Sequence, residues 1–349
     1  MIYCLLYIIF FILICYVSFK EIDILSNAEY EANYTFEAKL ILPILILLAT
    51  FRPSFLPDYD NYEALFSGLS IEEERFEIGD LFLVNIARPV IDAPLFVFFI
   101  FAIVGISIKF YAIKGMTTAY YTSLLLYMAN VFIIHDLIQI RCGIAVGLLL
   151  WAIKFKCDGA NGNFWISAVL AVLFHYQALV IFPLFFLSPT NPHKFLYVFG
   201  VLFSYALALS GIGLATYVQL IGGESYAALF EHYVDKEDAV NLFNVVQLMK
   251  LFTFVIVMLN IEQLASVSKY AVMLMKVYAL SICSLPLLAD IPAAGFRISE
   301  FFQTVEILLV PMLVFIGGKK AILYRGWCYC YTIALFLIDA FYNKYLIEA

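Results

Sequence analysis

His135, Asp136, Gln139 and Arg141 fall within seven residues of a chain that is otherwise mostly hydrocarbon. Ionisable groups are costly in a bilayer unless they are paired, hydrated or in use, so such a cluster between two long apolar runs marks a candidate site. The alternative is a plain interhelical loop, with His135 and Asp136 in water and Arg141 reaching the headgroups. His175 lies in the run 169–187, which is otherwise almost wholly apolar. A histidine there is either a core residue bonded to a backbone carbonyl or a proton acceptor, and the near-neutral pKa of an ordinary histidine suits the second role. Arg297 and Glu300 lie one helical turn apart, close enough to pair on one face, with Glu306 deeper in the same run. The two either neutralise each other or leave an arginine at a cavity mouth, where its planar fork matches a diphosphate.

Upstream, Arg52 precedes Asp58-Tyr59-Asp60-Asn61-Tyr62, and Glu77-Ile-Gly-Asp80 follows. Tyrosine faces cover the C–H surface of a sugar while carboxylates and an amide bond its hydroxyls, so this pattern suits a glycan. The competing interpretation is a solvated acidic loop with no ligand, since charge runs usually face water. Asp58 and Asp60 alone do not make a metal site, and no metal or other cofactor is expected. The seven cysteines show neither Cys-x-x-Cys nor mixed Cys/His ligand spacing, which argues against a metal centre and against a disulfide framework. No phosphate-cradling glycine-rich loop of the P-loop type is present.

The elements that must position these groups are membrane helices. The chain is 64% hydrophobic and 13% charged, with a mean hydropathy of +0.96, against about 45–50% apolar and about 25% charged in a soluble domain. Apolar segments occur at 1–19, 40–51, 90–112, 119–134, 143–155, 164–187, 195–218, 245–259, 270–288, 296–316 and 321–342. This pattern predicts an all-α, polytopic integral membrane protein of about eleven transmembrane helices. The first run has no basic segment before it and no small-residue cleavage site after it, and is expected to remain as a helix. No polar stretch is long enough for a separate core, so residues 1–349 are read as one membrane domain.

External loops are expected at about 52–89 and 219–244. Residues 52–88 carry eight carboxylates against three arginines, and 222–244 carry five against one lysine. Lys109, Lys114, Lys269, Lys276, Lys319, Lys320 and Arg325 are expected to mark cytoplasmic ends. Three apolar segments separate Arg141 from the second acidic stretch, so both places are external only if one segment fails to cross. The shortest, 143–155, is the expected half-crossing or strongly tilted element.

In order along the chain, Arg52…Asp58-Tyr59…Tyr62, Glu77-x-Gly79, Gln139-Ile-Arg141-x-x-Ile-Ala145, Phe174-His175-Tyr176-x-Ala178 and Arg297-x-x-x-Phe301-Phe302 resemble the EpsG/Wzy group of exopolysaccharide and O-antigen repeat-unit polymerases. The resemblance runs from Leu48 to about Pro311. The chain departs from the family pattern at Leu56-Pro57 (Gly-Thr), Glu77-Ile-Gly-Asp80 (Glu-Pro-Gly-Tyr), Arg141-Cys142 (Arg-Gln) and Gln177 (Ser or Thr).

The resemblance implies a glycosyltransferase of the bacterial cytoplasmic membrane, acting at its outer face. It would transfer a growing glycan from undecaprenyl diphosphate to the next lipid-linked repeat unit, for O-antigen, capsule or exopolysaccharide. It also implies lipid, the lipid-linked oligosaccharide, a chain-length regulator and a flippase as partners, and no nucleic acid. Arg141 and Arg297 would stabilise the leaving diphosphate. His175 would be the base, with Glu77 or Asp58 as second choices. Arg52, Asp58, Tyr59, Asp60, Tyr62, His135, Gln139, Tyr176 and Glu300 would contact substrate. The rivals are a lipid-linked glycan flippase, whose usual paired halves are not visible in this sequence, and another lipid-carrier transferase such as a ligase or an acyltransferase.

Overall fold

The computed structural model describes residues 2–25, 36–66, 77–91, 93–211 and 240–348. Glu72 to Glu74 and most of the acidic stretch 222–244 lie outside the described residues, and so does the expectation that the two acidic stretches share one face. Every regular element among the described residues is helical. Helices bond their own N–H and C=O groups, and a bilayer core offers no water to do so.

The first elements are α1 (Ile2–Leu25), α2 (Phe36–Thr50), α3 (Tyr59–Phe66), α4 (Ile78–Ala87) and α5 (Pro94–Met116). Then come α6 (Tyr120–Leu126), which runs on through π-helical turns at Tyr127–Val131 and Ile133–Ile138, α7 (Ile140–Cys157) and α8 (Asn161–Phe174), followed by a 3-10 helix at Tyr176–Phe186. After these are α9 (Lys194–Leu209), α10 (Val245–Val267), α11 (Ala271–Leu287), α12 (Pro292–Gln303), α13 (Glu306–Leu309) and α14 (Ala321–Leu337). Among the described residues, five stretches are long and apolar enough to cross a membrane: Ile2–Ile22, Pro94–Met116, Val245–Val267, Pro292–Phe315 and Ala321–Tyr342. The protein is a multi-pass membrane protein. Other apolar helices, such as Ile78–Ala87 and Asn161–Phe174, have 10–17 residues, fewer than the roughly 20 that a crossing needs.

The chain forms two compact units, Met1–Phe186 with Ile307–Ala349, and Leu187–Glu306. In the first, glycines on α7 admit α5 side chains and the His135 backbone at close range. A methyl group on Gly147 would stand 2.8 Å from the Ile108 side chain, and one on Gly143 would stand 2.0 Å from the His135 carbonyl. Beside this seam Lys109 Nζ lies 2.8 Å from Asp136 Oδ1 and donates to the Gly143 carbonyl at 2.6 Å, while the Tyr127 hydroxyl donates to Asp136 Oδ2 at 2.6 Å. Glu21, on α1, accepts from the backbone N–H groups of Tyr121 and Thr122 at 2.9 Å each. These are among the first donors of α6, which have no partner inside their own helix.

In the second unit Lys250 is buried on α10 and donates to Ser299 Oγ at 2.7 Å, and Ser299 donates to the Ser281 carbonyl at 2.7 Å. Lys276 is likewise buried on α11 and donates to the Ser188 carbonyl at 2.6 Å.

Four expectations change. His135 and Asp136 are buried in a helix rather than wet in a loop, because Lys109 and Tyr127 satisfy the Asp136 carboxylate. Lys109 and Lys276 are not free cations reaching water: both are buried and bond backbone carbonyls. Segment 296–316 is interrupted after Gln303, continuing as α13 and a 3-10 turn at Pro311–Phe315, where Pro311 has no N–H for the helix ladder. Segment 143–155 is part of an unbroken helix of eighteen residues, about 27 Å long. The segment that reverses is 161–186. Trp165, at the start of α8, packs on Phe182 (5.6 Å) and Phe185 (4.8 Å) near the end of the 3-10 helix. The two legs therefore run antiparallel, each about 21–22 Å long, with His175 at the bend.

Candidate active site

The interruption of the helix at that bend is local. The Phe174–His175 step leaves the helix, with His175 extended (φ −161°, ψ 115°) and its N–H still bonded to the Ala171 carbonyl at 2.9 Å. Extended backbone turns the imidazole away from α8 and toward the start of α4. There, Gly79 makes the approach possible, since a methyl group on it would stand 2.8 Å from the Leu173 carbonyl and 2.9 Å from the Phe174 ring. Glu77, at the N-cap of α4, is thereby held against the bend.

Glu77 joins three groups. Its Oε2 accepts from Arg141 Nη1 at 2.6 Å, and its Oε1 lies 3.2 Å from His175 Nδ1 and 3.4 Å from the backbone N–H of Tyr176. Arg141 comes from the first turn of α7. Its start is fixed by Gln139, whose carbonyl accepts from Gly143 N–H at 2.9 Å. His175 Nε2 lies 3.3 Å from the Gln177 side-chain amide, whose otherwise unpartnered NH2 end can donate to the ring nitrogen when the amide is turned over. The Glu77 side chain is 6% exposed, while those of Arg141 and His175 are 24% and 22% exposed, so the outer two groups can be reached from outside and the link between them cannot. Burial alone would raise the Glu77 pKa. The His175 hydrogen bond and the Arg141 charge outweigh burial and hold the carboxyl at about 2.

Asp80, one turn further along α4, completes the cluster. Its side chain is fully buried, and Oδ2 lies 3.9 Å from the same Arg141 nitrogen that bonds Glu77. Tyr62 is buried on α3, and the Arg141 guanidinium lies 5.8 Å from its ring centre.

The other expected site residues are distributed as follows. Arg52 is buried, donating to the carbonyls of Ala49 (2.9 Å) and Leu137 (3.0 Å) over the Phe98 ring at 4.5 Å. It ties the end of α2 to the end of the π-helical stretch. Asp58 has a left-handed backbone (φ 63°) just before α3 and is exposed, as is Asp60. Tyr59 stacks on Phe98 at 5.4 Å. Tyr176 is 62% exposed beside the cluster. His135 is buried, with its carbonyl against Gly143. Arg297 and Glu300 belong to the second unit. Arg297 is exposed on α12, and Glu300 is half-buried within electrostatic reach of Lys250.

Sequence reasoning missed the role of Asp80, and it listed Glu77 as an alternative base. With its carboxyl at about 2, Glu77 has little basicity near neutrality and is better suited to orienting His175. The close-approach glycine at 79 was the signal that could have placed α4 against the bend.

These groups can orient an imidazole, present a cation beside it and receive a proton. A carboxylate on Nδ1 fixes the tautomer whose Nε2 carries the lone pair, as in hydrolase triads. The family model described as the EpsG family matches residues 39–347, nearly the whole chain. No curated protein and no solved structure matches.

Proposed function

Because the chain belongs to the EpsG family, a family of Wzy-like polymerases, we propose that it joins lipid-diphosphate-linked oligosaccharide repeat units at the outer face of the bacterial cytoplasmic membrane. The observation that carries this reading is the Arg141–Glu77–His175 array, in which one buried carboxylate holds a cation and an imidazole side by side at a helix bend. The acceptor hydroxyl is a poor nucleophile and needs its proton removed as it attacks the anomeric carbon of the donor. His175 Nε2 takes that proton. The bond between the anomeric carbon and the phosphate oxygen breaks, and the lipid diphosphate leaves with both electrons. Arg141 stands where that negative charge accumulates. Glu77 holds the tautomer and stabilises the imidazolium that forms.

Tyr176, exposed beside His175, gives the sugar a ring face to lie on. Undecaprenyl diphosphate is the proposed carrier, and O-antigen, capsule or released polysaccharide the proposed product class. Asp58, Tyr59, Asp60 and Glu300 are retained as proposed substrate contacts and Arg297 as a proposed cation for the leaving diphosphate, each to be tested by substitution. The reading is tested by supplying the purified chain, in liposomes, with lipid-diphosphate-linked repeat units as the sole glycan. A ladder of products rising in steps of one repeat is expected. Movement of the substrate across the bilayer with no ladder would replace the polymerase by a flippase.

A further inference from the structure

Asp80 is a buried carboxyl that the mechanism above does not use. Its side chain is fully buried, and among the described residues neither carboxyl oxygen has a hydrogen-bond partner of ordinary geometry beyond a looser contact with the Glu77 carboxylate, a contact that requires a proton between the two acids. Its nearest cation, Arg141 Nη1, is 3.9 Å away and already bonds Glu77 at 2.6 Å. One guanidinium nitrogen is thus within reach of two carboxyls and satisfies one of them. A buried, unbonded carboxylate is costly, and the cost falls sharply when the group is neutral.

We infer that Asp80 holds a proton while Glu77 is ionised, and that this proton is what lets the site admit a diphosphate. The inference rests on the reading that the site takes a lipid diphosphate. With the proton in place, the buried Asp80 O–H is directed at the Glu77 carboxylate, Glu77 and Arg141 cancel, and no net negative charge opposes a phosphate at the exposed Arg141. Without it, two carboxylates outweigh one arginine, and the local charge repels a polyanion. Burial pushes Asp80 up to about 9 against the pull of Arg141, with the hydrogen bond to the Glu77 carboxylate and then its negative charge adding to the push, so the proton stays through the neutral range.

The groups that face Asp80 are few. Glu77 caps its own helix, Arg141 comes from α7, the Tyr62 hydroxyl from α3, and His175 from the cap of α8 through Glu77. The parts of α5 and α8 that pack on α4 contribute no other ionisable side chain, since residues 94–108 and 161–174 contain none.

Two measurements on the purified full chain test this. Farnesyl diphosphate is the probe for binding, titrated into wild type and Asp80→Asn from neutral pH to above 9. Wild-type affinity is expected to fall about tenfold per pH unit once Asp80 ionises, and affinity of the asparagine variant to stay level over the same range. A parallel fall in both proteins, or a level wild type, would overturn the inference.

The second measurement needs no ligand. The infrared spectrum of the wild type should show a protonated-carboxyl band at neutral pH that is lost above about 9 and absent from Asp80→Asn. A wild type without that band would refute the proton outright. Failure of the probe to bind wild type at any pH would instead overturn the diphosphate reading, leaving the infrared band to decide whether Asp80 is protonated.

Discussion

A carboxylate that bonds an arginine with one oxygen and a histidine with the other can do neither job if it loses its charge. Glu77→Gln keeps the shape and removes the charge, so it is expected to lower kcat by about a hundredfold or more, within the range of general-base effects. Rates at saturating lipid-linked substrate check this, and a glutamine variant at wild-type kcat would contradict the orienting role. Because the Glu77 pKa is depressed from 4.5 to about 2, its ionised form stabilises the fold above about 4.5, and that contribution is lost as pH falls through about 2. Thermal unfolding of the detergent-solubilised protein should show this acid loss in wild type and lack it in Glu77→Gln. Arg141→Lys keeps a charge but loses the planar fork. It is expected to weaken substrate binding and turnover together, and a full-length polymer ladder from the lysine variant would exclude the guanidinium from the reaction.

At the scale of elements, close backbone approaches place the cluster, and these are only partly legible in the sequence. The apolar runs announced most of the helices, and Glu77-x-Gly79 announced a motif. The reversal at His175 could not be read from periodicity, because both legs are apolar and no Gly or Pro stands at the bend itself; Trp165 meeting Phe182 and Phe185 is a tertiary fact. Likewise the lysine at 109 reads as a free cation reaching water until its partner, Asp136, is seen 2.8 Å away. Gly79→Ala is expected to force α4 off the bend, because the new methyl meets the backbone carbonyl of Leu173 at 2.8 Å. A cost of about 1–3 kcal/mol in stability should accompany a disproportionate loss of kcat, and an active enzyme destabilised to that extent would show that the approach is structural only. Lys109→Met alone leaves Asp136 buried and uncompensated, at a cost of about 3–5 kcal/mol, whereas Lys109→Met with Asp136→Leu should recover most of it. Equal unfolding midpoints for the single and double variants would contradict the pairing.

The whole molecule is a multi-pass membrane protein that presents hydrocarbon outward. Ile2, Leu5, Ile9 and Leu13 are exposed along α1, and Phe195, Phe199 and Leu202 along α9, as expected of surfaces that meet lipid rather than water. The reaction proposed here requires the His175 bend to open to the outside. A cysteine at Tyr176, in a background lacking the seven native cysteines, should therefore react with a membrane-impermeant thiol reagent added externally. Labelling confined to the cytoplasmic side would remove the outer-face assignment. The role of His175 as base is tested most directly by single-turnover joining of lipid-linked repeat units by His175→Gln. This variant is expected to retain bound lipid-linked donor while forming the new glycosidic bond at least about a hundredfold more slowly than wild type; bond formation at the wild-type rate would rule the histidine out as the base.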